Sequence, residues 1–460
     1  MSQTVSSDVL QPLTDAIVDK PPYVSGTLSL PLDCFNLFYK TGNGANYLNF
    51  TTATEAELAE LAAACEAATF GRNKEDVLDE SYRRAGKMDV DQFSNPIVPE
   101  RTPLMQAIRN ELLEGDHSAR PIRLELYKLN VYSEGSFFKP HVDTPRSGAM
   151  FGSLVLVFPT QHEGGGLILR HGGKEWTVDL AKEFSQLPAC SIGFIAFYSD
   201  VEHEVSLVRS GHRVTLTYNL YFEDITVEDE DANVDAELIS TIVPNEPTFS
   251  ETLKEMLSDP TFLPNGGLLG FGLRHKYPVR WSLDDVHKLL KGSDAVVWRA
   301  VEKLSLEPAL YFCYEDWYPY PETVLFFNIP GIIEEETNID EQSIISRIKE
   351  VGPTIVIERD SPSSSPSSES GQQKEPVVPV SWVTPLTQFT AFRGTYIEYG
   401  NQAEHQIFYA EVCLIARVPS FEERQRIRKD GELTKGEEEE EEAQEEEEGV
   451  EDGGHGGEDE

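Results

Sequence analysis

His141 and Asp143 stand two residues apart in "FFKPHVDTPRSG", just after a run that reads as strand. On an extended chain, residues at that spacing point to one side. An imidazole and a carboxylate can then face one metal ion. His-x-Asp alone is a common accident, and two ligands do not make a site. Divalent iron in oxygen-activating centres takes two histidines and one carboxylate on one face and leaves the opposite positions open. His203, in "FYSDVEHEVSLV", offers the second imidazole at the start of a strand, after an aromatic run. Ten residues further on, Arg213 opens "RVTLTYNLYF". There Val214, Leu216, Tyr218 and Leu220 alternate with Arg213, Thr215 and Thr217. A strand with an arginine and two threonines on its second face shows that face to water or lines a polar cavity. In a cavity the guanidinium can grip a carboxylate through two hydrogen bonds, and the Thr215 hydroxyl can add another.

The elements that must position these residues are short strands. "IRLELYKLNVY", residues 122–132, alternates and runs into the turn Ser-Glu-Gly. Strand-like runs follow at 152–158, 166–170, 175–178, 192–197 and 213–222. Gly164–Gly166, Gly172–Gly173 and Ser199–Glu202 punctuate them. Several strands without helices between them predict an antiparallel sandwich or barrel. Upstream, residues 54–69 predict a helix, with a Thr cap, early glutamates, and Leu58, Leu61 and Cys65 on one face. Leu104, Ile108 and Leu112 recur at helical spacing and predict another over 103–113.

Residues 124–222 resemble the iron(II)- and 2-oxoglutarate-dependent dioxygenases, in their prolyl 4-hydroxylase-like branch. The matching stretches are "YSEGSFFKPHVD", the hairpin "EGGGLIL", "FYSDVEHEV" and "RVTLT". The resemblance implies a double-stranded β-helix, or jelly roll. It implies Fe(II) on His141, Asp143 and His203, and Arg213 on the distal carboxylate of 2-oxoglutarate. It implies O2 as co-substrate, ascorbate as an accessory reductant, and no catalytic residue beyond the metal ligands. The implied reaction hydroxylates a C–H bond of a protein side chain such as proline, with release of succinate and CO2. Tyr132 matches a family tyrosine that contacts the co-substrate. Some prolyl hydroxylases carry a second tyrosine on the strand after His-x-Asp. "GSLVLVF" has none, and Thr215 is the expected substitute. Two other readings stay open: a catalytically inactive barrel serving as a protein-interaction module, and an oxygenase of a small molecule. The nucleic-acid demethylase branch has a second arginine six residues after the first, where Asn219 stands here. His162 and His171 have no acidic partner at ligand spacing and read as loop residues; His212 lies on the face opposite Arg213 and reads as a surface or packing residue, and His275 has no His-x-Asp companion, which argues against a second iron site.

The chain's 460 residues, 39% of them hydrophobic, allow two or three domains. The expected organisation is N-terminal helical support over 1–120, a dioxygenase core over 121–225, and an acidic linker over 226–244. An α+β accessory region follows over 245–425, with a disordered loop at 361–379, and then a disordered acidic tail over 436–460. The expected fold class is therefore a mostly β jelly-roll core with supporting helices, plus a second α+β region. "GGLLGFG" lacks the Lys-Ser/Thr of a phosphate loop and reads as strand and turn. The formal net charge is -42; the tail holds 15 acidic and no basic residues, which leaves -27 for the rest. Such a chain repels phosphate backbones, so a basic protein is the expected partner and nucleic acid is not. No apolar run approaches the ~18 residues of a membrane span. The first residues carry neither the basic nor the apolar part of a secretory signal. Five scattered cysteines without a Cys-x-x-Cys pair suit a reducing compartment. The expectation is an intracellular protein, cytoplasmic or nuclear, without membrane contact.

Overall fold

The computed structural model describes residues 4–42, 44–72, 75–113, 120–184, 187–188, 190–223, 245–316, 322–329, 342–357, 377–388, 399–400 and 407–427. The expected linker at 226–244, most of the loop at 361–379 and the tail at 436–460 lie outside these residues.

The alternating segments become the long strands of a seven-stranded antiparallel sheet. Its order is 23–29, 191–198, 150–157, 213–222, 122–132, 86–89 and 66–67. A second antiparallel sheet of five strands runs 174–178, 167–171, 202–205, 137–141 and 83–84. Leu154, Phe197 and Leu216 of the first sheet and Phe138, Leu169 and Val205 of the second belong to one apolar core. The helices Glu55–Ala64 and Leu104–Glu111 add Leu58, Leu61, Leu104 and Ile108 to it. Thr54 caps the first of them: its hydroxyl accepts from the Glu57 N–H, and the Glu57 carboxylate accepts from the Thr54 N–H. That helix stops at Ala64, short of the expected 69, because Glu66–Ala67 pairs with Gly86–Lys87 at the sheet edge.

The N-terminal 120 residues are not a purely helical support. Tyr23–Ser29 is an edge strand of the large sheet, in register with Ser191–Phe197, and Asn36–Thr41 pairs with Gly44–Asn49. These strands are short and half-polar, so their period does not stand out in sequence. The first helix, Ser7–Ala16, leaves this part of the molecule altogether. Its Leu10, Leu13 and Ala16 join a second core built from residues 249–418.

That second core combines helices and strands. Its six-stranded sheet runs 354–357, 322–326, 309–316, 413–418, 267–272 and 380–384. Helices Asn245–Ser258, Gly292–Lys303 and Gln342–Val351 accompany it. "GGLLGFG" is strand and turn. Residues 284–304 split into two helical elements. A short 3-10 turn covers Val286–Leu289, Leu290 and Lys291 are extended, and the α-helix begins at Gly292 with φ +48. Only glycine adopts that angle without strain, and the break brings the Lys291 side chain to the oxygenase-side core. Among the described residues, no helix is long and apolar enough to cross a membrane. All five cysteines are free.

Candidate metal centre

Strand pairing builds the centre. Phe137–His141 lies beside Glu202–Val205, and the register sets His141 opposite His203. Asp143 follows just past the strand end. His141, Asp143 and His203 each offer a ligand atom within 4.8 Å of the others. All three are buried. His203 Nε2 lies 3.7 Å from Asp143 Oδ1. His141 Nδ1 lies 2.9 Å from the Lys139 carbonyl, and His203 Nδ1 lies 3.0 Å from that of Val201. A carbonyl can only accept, so each Nδ1 carries a proton, which makes Nε2 the nitrogen each ring can offer a metal. Ser153 Oγ donates to Asp143 Oδ2 and fixes that carboxylate. Burial, reinforced by the neighbouring His203, holds the His141 imidazole well below its usual range and therefore neutral. Two imidazoles and a carboxylate are the donor set that suits Fe(II) with open positions opposite.

A cavity of about 60 Å³ adjoins the three donors. One wall is the pair of strands 122–132 and 213–222. A bulge at Tyr127 shifts their register, so Tyr132 lies opposite Arg213, Asn130 opposite Thr215 and Lys128 opposite Thr217. All six line the cavity. Arg213 is only 3% exposed. Among the described residues no carboxylate meets its guanidinium, whose carbon sits 5.5 Å from the Tyr132 ring centre. Burial lowers its pKa, since a desolvated cation is costly until an anion joins it. Gly165 in the glycine-rich hairpin has a reason to be glycine here. Its φ is +68, and a Cβ would come within 2.8 Å of Arg213 Cδ.

The structure thus gathers His141, Asp143, His203, Arg213, Tyr132 and Thr215 in one place. It adds Arg83, Lys128, Asn130 and Ser153, which sequence reasoning did not single out for this site, and brings in Thr217 from the Arg213 face. Lys128 and Asn130 could have been found from their alternation with Tyr132. Arg83 could not, because it lies on a strand of two residues.

The 2OG-Fe(II) oxygenase superfamily profile matches residues 127–221. This segment belongs to the 2OG-Fe(II) oxygenase superfamily. The chain is accordingly a 2-oxoglutarate-dependent dioxygenase, and the oxygenase family implies Fe(II), 2-oxoglutarate and O2. The oxygenase segment spans roughly a fifth of the chain and contains every residue expected at the site. Among solved structures, the chain is similar to a Pseudomonas putida prolyl-4-hydroxylase, at 18% identity and TM-score 0.27, over 47% of this chain and 100% of that one. It is also similar to a prolyl hydroxylase from Trichoplax adhaerens in complex with a hypoxia inducible factor oxygen degradation domain peptide fragment. There the identity is 13% and the TM-score 0.26, over 47% of this chain and 90% of that one. No curated protein matches the chain.

A second donor group lies between the oxygenase core and the second core. His171, Asp200 and His275 also place ligand atoms within 4.8 Å of one another. Lys291 Nζ, however, donates to Asp200 Oδ1 at 2.8 Å. Asp200 Oδ2 accepts from the Lys276 N–H at 3.0 Å and lies 3.1 Å from His275 Nδ1. Burial would raise the Asp200 pKa, but Lys291 and His275 outweigh it and hold the carboxyl well below its usual range. The ammonium already neutralises this carboxylate and would repel a dication beside it. The group is an ion-pair latch between the two cores. His171, read as a loop residue from sequence, and His275, which has no His-x-Asp companion, have their acidic partner in space.

Buried histidines give the fold a pH dependence. Burial pushes His162 and His171 down to about 4, against an ordinary imidazole value of about 6.5. Between those values the unfolded chain binds protons that the folded chain does not, so stability falls as pH drops through this window. The melting temperature of metal-free protein should decline over that range. The His162→Gln/His171→Gln variant should show a shallower decline in the same thermal scans. An unchanged slope would show that these imidazoles are protonated in the fold.

Proposed function

We propose that this oxygenase hydroxylates a C–H bond of a protein side chain such as proline, converting 2-oxoglutarate and O2 to succinate and CO2. The facing sheets of seven and five strands are read as its jelly roll. The observation that carries the proposal is one buried cavity lined both by His141, Asp143 and His203 and by Arg213, a guanidinium that meets no protein carboxylate among the described residues. When bound, Fe(II) supplies the oxygen-activating chemistry. The chain's own residues do the rest. The Nε2 atoms of His141 and His203 and the Asp143 carboxylate would hold the metal, and the adjoining cavity would take co-substrate and substrate. Ser153 orients Asp143. Arg213 grips the distal carboxylate of 2-oxoglutarate, with Thr215 and Tyr132 beside it. Burial at 3% exposure keeps water from that ion pair and strengthens it. The net charge of -42 supports a substrate protein that is basic overall.

Arg213→Ala separates the two parts of this reading. It should keep its iron and raise the KM for 2-oxoglutarate by about tenfold to a hundredfold, as expected for loss of a hydrogen bond to a charged group. Arg213→Lys should fall between, keeping the charge without the fork. Succinate release with Fe(II), 2-oxoglutarate and a proline-containing peptide library, with mass spectrometry for one added oxygen, tests the reaction itself. Unchanged 2-oxoglutarate affinity in Arg213→Ala would remove Arg213 from the site.

A further inference from the structure

Three cations line the cavity, Arg83, Lys128 and Arg213, against one carboxylate, Asp143. Bound Fe(II) and the 2-oxoglutarate dianion cancel each other's charge, and Asp143 offsets one cation. Two cations are left over. They also sit apart. Arg213 faces Tyr132 on the wall, and Lys128 faces Thr217, four residues along the same strand pair. At about 3.3 Å per residue that is a separation of ~13 Å along the backbone, so one small dianion does not serve both ends.

Arg83 is held ready. It is 5% exposed, donating from Nη1 to the Thr69 carbonyl at 2.7 Å and from Nη2 to Asn130 Oδ1 at 3.0 Å. Its Nε is buried with no partner. Its carbon lies 4.3 Å from the centre of the Phe138 ring, and that ring stacks on His141. Asn130 is steadied in turn by donating to Thr217 Oγ1 at 3.3 Å. Every one of these partners is neutral. Lys128 is half-buried and lines the cavity, in phase with Asn130 and Tyr132 along the strand. Its cross-strand neighbour Asp89 is already paired with Lys87 at 2.8 Å. Burial, with Arg83 nearby, lowers the Lys128 ammonium to about 8. Arg146, close by, is different because Glu125 partners it at 3.5 Å. On a chain of net charge -42, this cationic pocket is no part of a general basic surface.

We infer that the substrate presents a carboxylate next to the oxidised C–H bond, and that Arg83 and Lys128 receive it at the end of the cavity away from Arg213. This rests on the oxygenase reading above. The carboxylate can belong to an acidic side chain of a peptide or to a free carboxylic acid, and the test has an arm for each. Full-length protein is loaded with Mn(II) and 2-oxoglutarate without oxygen, so that nothing turns over. One arm measures retention of a proline-containing peptide pool rich in Asp and Glu against the same pool with Asn and Gln. The other measures binding of short carboxylic acids against their amides. The acidic form should bind about tenfold tighter in at least one arm. Lys128→Met should erase that preference and Lys128→Glu should invert it, while both still bind metal and 2-oxoglutarate. Equal binding of acid and amide in both arms overturns the inference. So does a preference that survives Lys128→Met, or a loss of 2-oxoglutarate binding in that variant. Fe(II)-loaded wild type that consumes no 2-oxoglutarate would count against the oxygenase reading, while the binding arms still decide this one.

Discussion

His141→Ala and His203→Ala should each leave the purified protein without stoichiometric Fe(II). The donor set has only three members, and each imidazole is aimed by a backbone carbonyl on its far nitrogen. Removing one leaves two ligands and no facial arrangement. Ser153→Ala should be milder. It removes the hydroxyl that holds Asp143 but no ligand, and loss of such a supporting partner typically costs about ten- to a hundredfold in metal affinity. Metal analysis after anaerobic reconstitution gives the occupancy. A second readout is thermal: Fe(II) should raise the melting temperature of wild type by mass action and leave the His variants unmoved. Full iron occupancy in a His141→Ala/His203→Ala double variant would mean that the metal, if any, sits elsewhere.

How much of this was legible follows from what each residue depends on. The strands 122–132 and 213–222 match their predicted limits because alternation and turn residues mark both ends. His141 and His203 come together because they lie on neighbouring strands of one sheet, and a short motif on strand-like sequence implies that geometry. The Tyr127 bulge was hidden. A bulge shifts parity by one within a run that still looks apolar and alternating, so no pattern in the sequence sets Tyr127 beside Lys128 on the cavity wall. Arg83 sits on a strand too short to have a period. Ser7–Ala16 falls inside the expected support over 1–120, but nothing in its sequence says that its apolar face belongs to a core beginning at Phe249. The latch at Asp200 joins residues far apart in the chain, and no local pattern announces a buried ion pair.

That latch carries the second large effect. Asp200 and Lys291 are both buried, and their ion pair spans the two cores. Lys291→Met should therefore cost about 3–5 kcal/mol, because it strands a carboxylate where water cannot reach it. Asp200→Asn combined with Lys291→Met should recover part of that loss, since no full charge is then left behind. The effect should reach the metal as well. Asp200 lies three residues before His203, so loosening its turn loosens the ligand, and Lys291→Met should bind Fe(II) more weakly even where it remains folded. The same reasoning applies to a fragment ending at residue 240. It would bare the apolar face of Ser7–Ala16 and leave Asp200 without Lys291 and His275. Such a fragment should be insoluble or unfolded, although it contains the whole segment matched by the oxygenase superfamily. Denaturant unfolding of the point variants and circular dichroism of the fragment decide the matter. If Lys291→Met unfolds within about 1 kcal/mol of wild type, or the fragment folds and binds Fe(II) normally, the two cores are independent and the latch is incidental. If both fail as expected, the second core is part of what holds the distal histidine in place.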